Sequence, residues 1–134
     1  MFSKNNLLFV SYTVVNEFGE INKISKYNVN NFVTKEIFSK PVEDFAQIRQ
    51  ITSGFKKNEI VIVIGYYSPK VIVINQNNKY TREIQTFTNE YDNLGAIGYV
   101  QKGALITTSN NEILVNFYAG TNDNNGATYR LKAY

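Results

Sequence analysis

The chain has 134 residues, with 14 Lys+Arg against 11 Asp+Glu, a formal net charge of +3, and neither His nor Cys. Because it lacks imidazole and thiol groups, the common general bases, thiolate nucleophiles and ordinary zinc sites are excluded. A chain of this length is expected to form one β-rich domain, residues 1–134, that folds without disulfides or metal.

The N-terminal segment, residues 1–10, contains a short apolar run that polar residues interrupt, and no small-residue cleavage site follows it. It predicts a strand rather than a signal peptide. No stretch approaches the roughly 18 apolar residues of a membrane span. We therefore expect a soluble protein that lies in the cytoplasm of the producing cell or in a virion.

The first half of the chain predicts strands over residues 7–15 and 21–29, joined by a turn at Gly19, and a short strand over residues 32–38. One helix is predicted at about residues 41–52. Pro41 presets the first turn, and Phe45, Ile48 and Ile51 recur at helical spacing. Its apolar stripe would pack on a sheet.

Residues 60–64 and 71–74 are apolar at every position, so both faces of these strands are predicted to be covered at the centre of a sheet. A strand nearer an edge is predicted at residues 80–87. Short strands then follow at residues 95–101, 104–108, 112–118 and 127–133, the first two separated by a turn at Lys102 and Gly103. Such closely spaced turns indicate an antiparallel meander.

The predicted fold is mainly β, an antiparallel β-sandwich or partly open barrel with one short helix at about residues 41–52. Three hairpins in the sequence look alike at the spacing of propeller blades, but an antiparallel meander produces the same spacing without a repeat. The sequence carries no blade signature.

Carboxylates offer little for catalysis or metal binding, because the chain contains only three Asp. Asp44 lies near the start of the predicted helix, where a carboxylate stabilises the helix end. Asp92 and Asp123 lie in Asn- and Gly-rich loops that could bind Ca²⁺, but the EF-hand spacing is absent and turn formation explains both. No phosphate-binding loop is present. We expect no catalytic residues, no metal and no cofactor.

Aromatic and cationic residues alternate at two consecutive predicted turns. Tyrosine rings can stack on bases while cations neutralise phosphates, and tyrosine is also enriched at protein interfaces. The candidate binding residues, for a protein interface or for nucleic acid, are Tyr66, Tyr67, Lys70, Lys79, Tyr80 and Arg82.

These observations favour a non-enzymatic structural or accessory subunit of a larger assembly, which contacts other protein subunits as a homo- or hetero-oligomer through tyrosines and sheet edges. The small size and a preference for residues with A/T-rich codons favour a phage or virus particle. One alternative is an OB-like protein that binds single-stranded nucleic acid. A second alternative is a small inhibitor or adaptor of a host protein. No membrane partner is expected.

Overall fold

A computed structural model of the chain describes residues 1–43, 47–65, 70–79, 81–86, 97–107, 112–119 and 126–132. Within these ranges the chain forms eleven strands and no helix. They are β1 (Phe2–Lys4), β2 (Leu7–Asn16), β3 (Gly19–Asn28), β4 (Thr34–Pro41), β5 (Ile48–Ser53), β6 (Glu59–Ile64), β7 (Lys70–Asn75), β8 (Thr81–Thr86), β9 (Ile97–Thr107), β10 (Glu112–Ala119) and β11 (Gly126–Lys132).

The strands form three antiparallel sheets. The first has the order β1-β2-β3-β4, the second β5-β6-β7-β8, and the third β11-β10-β9. The two four-stranded sheets do not close into a barrel, and they face each other as a β-sandwich. The predicted mainly-β sandwich is therefore confirmed, and the barrel alternative is not observed. No helix in the described ranges has the length and apolar character needed to cross a membrane.

The core lies between the first and second sheets. Alternate residues of β6 and β7 point toward the first sheet, and burial of each isoleucine there contributes about 1.5–3 kcal/mol. The buried cluster consists of Phe9, Ile24, Ile37 and Phe38 from the first sheet and Ile51, Ile60, Ile62 and Ile74 from the second.

The other face of the second sheet is also covered. Val61, Val63 and Val71 alternate with the core isoleucines and are fully buried. On the backbone, β9 of the third sheet contacts both β5 and β6. The prediction that the two apolar runs are covered on both faces is confirmed at Ile60 to Val63, and β8 lies at the edge of its sheet as expected.

The predicted helix at about residues 41–52 is wrong in the described residues: Pro41 ends β4, and β5 covers most of the remainder, while residues 44–46 lie outside the described ranges. A register shift between Ile48 and Gln50 marks a bulge in β5. The bulge lets Ile48 and Ile51 pack on the same core cluster. A spacing of three residues, which is typical of a helix, was therefore produced by an irregular strand.

The predicted turn at Lys102 and Gly103 is also wrong, because β9 continues through both residues. They lie at a register shift: Val115 and Phe117 of β10 pair with Leu105 and Val100 of β9. The glycine therefore marks a bulge within a long strand rather than a reversal of the chain.

Candidate functional site

Turns from the first two sheets meet at each end of the sandwich. At one end, here named the basic end, lie the turns at residues 5–6, 29–33, 54–58 and 76–79. The Val29 N–H donates to the Asn6 carbonyl oxygen at 3.0 Å, and the Gln76 N–H donates to the Asn58 carbonyl oxygen at 2.8 Å. A cleft lined by residues of both sheets joins these turns.

The opposite end, here named the acidic end, contains residues 17–18, 42–43, 47 and Gly65. The Gln47 side chain donates to a Glu20 carboxylate oxygen at 2.9 Å. The Gly65 N–H donates to the Gln47 carbonyl oxygen at 3.1 Å. These bonds tie the end of the first sheet to the end of the second.

The loop between β3 and β4 carries an exposed apolar surface at the basic end. Val29, Phe32 and Val33, here named the apolar tip, are 50%, 86% and 59% exposed. Three apolar side chains on one five-residue loop are each at least half exposed within the described part of the chain. They are therefore available to a partner.

Backbone and asparagine hydrogen bonds hold this loop in one conformation. The Phe32 N–H donates to the Asn28 carbonyl oxygen, and the Asn28 N–H donates to the Val33 carbonyl oxygen, each at 2.9 Å. The Oδ1 atoms of Asn28 and Asn31 accept from the N–H groups of Asn30 and Val33 at 2.9 and 3.0 Å. The apolar tip is thus ordered before any partner binds.

Phe32 occupies the left-handed region with φ 59°, a conformation that a bulky side chain rarely adopts. In the described residues, every non-glycine residue with positive φ lies at the basic end, whereas the positive-φ glycines Gly19 and Gly65 lie at the acidic end. Strained backbone that persists is held by its surroundings and is concentrated at functional sites. This observation favours the basic end as the binding surface.

Lysines are concentrated at the same end of the sandwich as the apolar tip. The basic end carries Lys4, Lys26, Lys35, Lys56, Lys57 and Lys79, of which all but the half-buried Lys26 are exposed. Lys26 is directly opposite Lys35 in the β3–β4 register, where like charges repel. Among the described residues of this end, Glu59 carries the carboxylate. Glu59 is 8% exposed and lies 3.5 Å from the Arg82 guanidinium. The end is strongly cationic.

The charged residues described at the acidic end are of both signs. They are Glu17, Glu20, Glu43, Lys40 and Lys70, all exposed except the half-buried Glu20. Phe18 is 90% exposed in the β2–β3 turn, and Val15 is 72% exposed beside it. Each end therefore presents one prominent phenylalanine, but only the basic end is dominated by one charge.

The sequence-predicted binding residues are not gathered on one surface where the structure describes them. Lys70 and Lys79 flank opposite ends of β7, a six-residue strand of about 17 Å. Lys70 lies 3.7 Å from Glu83, and Arg82 lies 3.5 Å from Glu59, so carboxylates neighbour both. Lys79 belongs to the basic end, where its φ is 58°.

The tyrosines of the predicted site, Tyr66, Tyr67 and Tyr80, lie outside the described residues, as do Asp44, Asp92 and Asp123. Their roles stay predictions. Reasoning from the sequence missed Phe32 and most of the lysines of the basic end. The available signal was an apolar pair inserted in an asparagine turn, since asparagine alone would have sufficed to reverse the chain.

A larger cavity of about 460 Å³ lies between β1, β2 and β5. Its described lining contains hydroxyl, amide and apolar side chains with Arg49, but neither a carboxylate nor a lysine. Among the described residues no group of three or more carboxylates could hold a metal ion.

Comparison with protein-family models, with curated proteins and with solved structures finds no match.

Proposed function

We propose that the chain is a non-enzymatic assembly subunit that associates head to tail, with the basic end of one copy against the acidic end of the next. The observation that carries this proposal is that both ends expose a phenylalanine, Phe32 or Phe18, and that the carboxylates of Glu17, Glu20 and Glu43 lie at the end opposite the lysine-rich one. The setting that the composition favours, a phage or virus particle, belongs to the same proposal.

Charge decides which ends meet. Two basic ends would bring the lysines of both copies together, and two acidic ends would oppose Glu17 and Glu43 with their own equivalents. Like charges across an interface cost free energy, whereas complementary ends attract and align. A contact between two different surfaces is heterologous, so it continues into a ring or a filament.

The apolar tip supplies the short-range part of the contact. Burial of apolar surface contributes about 25 cal/mol per Å². Because hydrogen bonds already order the loop around Phe32, little conformational entropy is lost when a second copy binds. The larger described cavity lacks the carboxylates and lysines that catalysis without His or Cys would use, which supports a binding role.

The experiment compares Phe32→Asn, Phe18→Asn and their mixture with the wild-type chain by sedimentation velocity. Asparagine tolerates turn positions, including left-handed backbone, so both variants should fold. We expect the wild-type chain to form oligomers that grow with concentration, and each variant alone to be largely monomeric. The mixture should form dimers and nothing larger, because only one intact basic end and one intact acidic end can meet.

A wild-type chain that stays monomeric up to millimolar concentration would refute the proposal. Variants that lose association but fail to form mixed dimers would refute the head-to-tail arrangement. Circular dichroism of each variant checks that the fold is retained. Added salt should weaken the association, since exposed charges are screened.

A second candidate function is binding of single-stranded nucleic acid, favoured by the lysines at the same end of the sandwich as Phe32. Bases can stack on an exposed ring while lysines neutralise phosphates. An oligothymidine titration tests it: binding should weaken as salt rises, and Phe32→Asn should reduce it while Phe18→Asn does not. Equal binding by both variants would remove Phe32 from this role.

A further inference from the structure

Three lysines from separate parts of the sequence line one small cleft between the first two sheets. Lys4 belongs to β1, Lys26 to β3, and Lys57 to the turn before β6. The cleft has a volume of about 120 Å³. Only the packing of the two sheets brings these cations to one place.

The protein does not neutralise these lysines itself. Within the described part of the chain, none of the three makes an ion pair or a side-chain hydrogen bond. Glu59 also lines the cleft, but its carboxylate lies 3.5 Å from Arg82 and accepts a hydrogen bond from the Lys56 N–H at 3.3 Å. The cleft therefore holds an excess of positive charge.

Amide-bearing and apolar residues share the rest of the lining. Asn5, Asn58 and Gln76 border the same cleft, and each has a side-chain amide that can donate, while the apolar residues of the lining are Phe2, Leu7 and Phe9. Like charges near one another in a partly buried site repel more strongly than in water. A bound anion would remove that repulsion and accept from the amides as well.

We propose that this cleft binds one tetrahedral oxyanion, either inorganic phosphate or the terminal phosphoryl group of a small molecule. The volume equals that of about four water molecules, which suits a single group of this size. Phosphate carries up to two negative charges near neutral pH, and lysine is a common phosphate ligand. The cleft lies at the basic end, so phosphate binding is tested in a variant that does not associate, where either proposal can fail alone.

The test is isothermal titration of the full chain with inorganic phosphate, against sodium chloride at matched ionic strength. It uses Phe32→Asn as the background, so that self-association does not contribute heat. We expect saturable binding of one phosphate per chain. Lys26→Gln and Lys57→Gln should each weaken it roughly tenfold.

Lys35→Gln is the matched control. Lys35 is opposite Lys26 in the sheet but does not line the cleft, so its removal should change phosphate affinity less than twofold by general screening. Equal losses in all three variants would overturn the proposal, because they would indicate diffuse attraction. The absence of saturable binding would overturn it too. Thermal unfolding of each variant confirms that it folds.

Two further ligands identify the source of the oxyanion. Competition by adenosine monophosphate would support a site for terminal phosphoryl groups, and binding of phosphate without such competition would support a site for the free ion. Binding of an oligothymidine that lacks terminal phosphates, in the absence of phosphate binding, would overturn the proposal in favour of a strand-binding surface.

Discussion

The basic and acidic ends of the sandwich reverse the chain in different ways. At the acidic end the positive-φ residues are glycines, Gly19 at 127° and Gly65 at 117°. At the basic end Asn5, Asn6, Phe32 and Lys79 take φ values from 50° to 60°. In this conformation Phe32 and Lys79 each cost about 1–2 kcal/mol that glycine avoids, whereas asparagine adopts it readily.

This difference indicates that the side chains at the basic end matter more than the ease of the turn. Phe32 is the clearest case, because it combines a strained backbone with an 86% exposed ring. Glycine or asparagine would make a more stable loop there. Four measurements test whether the two ends differ in this way.

The first prediction compares a glycine at each end. A methyl group on Gly54 would overlap Glu59, including its carbonyl carbon at 2.8 Å and its carbonyl oxygen at 2.9 Å. Gly54→Ala should therefore lower the free energy of unfolding by about 3 kcal/mol. A methyl group on Gly19 would meet no atom within 4 Å. Gly19→Ala should therefore lower the free energy of unfolding by only about 1–2 kcal/mol, because a side chain is strained at a φ of 127°. Urea unfolding measures both, and equal losses would contradict the contact argument.

The second prediction compares the two exposed phenylalanines. Phe32→Gly should raise the free energy of unfolding by about 0.5–1 kcal/mol, since it relieves left-handed strain without losing buried surface. Phe18 does not have a positive φ, so Phe18→Gly should lower the free energy of unfolding by a similar amount. Thermal unfolding at low protein concentration shows whether each variant is more or less stable than the wild-type chain. A loss in both variants would show that Phe32 is not strained.

The third prediction concerns charge. Lys35→Glu places opposite charges at the Lys26–Lys35 cross-strand pair and should stabilise the fold by about 0.5 kcal/mol at low salt. Lys40→Glu adds a negative charge near the acidic end and removes a cation 6.0 Å from the Phe38 ring, so it should lower the free energy of unfolding. High salt should reduce both effects. A stabilising Lys40→Glu would contradict the proposed separation of charge.

The fourth prediction uses as a reference the Lys23–Glu36 ion pair, which lies between the two ends of the sandwich. Lys23 Nζ lies 2.7 Å from Glu36, and that hydrogen bond raises the pKa of Lys23 above 10.5. A raised lysine pKa stabilises the fold fully at pH values below 10.5. This contribution is lost as the pH rises through the pKa that Lys23 has in the folded state. The stability difference between the wild-type chain and Lys23→Gln should therefore narrow as the pH rises through the strongly alkaline range. A difference that stays constant across that range would contradict the raised pKa of Lys23.

The centre of the fold could be predicted because its signal is local. Residues 60–64 and 71–74 are apolar throughout, and strands with that pattern must be covered on both faces. The bulges could not be predicted. A bulge near Ile48 produced the spacing of a helix, and a bulge at Gly103 produced the sequence pattern of a turn. Neither could be predicted, because both irregularities depend on the register of a neighbouring strand.

The candidate site was the least predictable part. Pairing of aromatic and cationic residues close in sequence selected Lys70 and Arg82, which the fold places beside carboxylates. The lysines of the cleft are far apart in the sequence and are adjacent only because two sheets pack face to face. Contacts between residues far apart in sequence depend on strand order and sheet packing.

By itself the sequence determined that the chain lacks His and Cys chemistry and builds its core from aliphatic strands, since both follow from residue type and from alternation along a strand. The tertiary structure alone decided which turns share an end. Separate lysines thereby share one end of the sandwich with Phe32, because the register of each strand and the packing of the sheets determine where each turn lies.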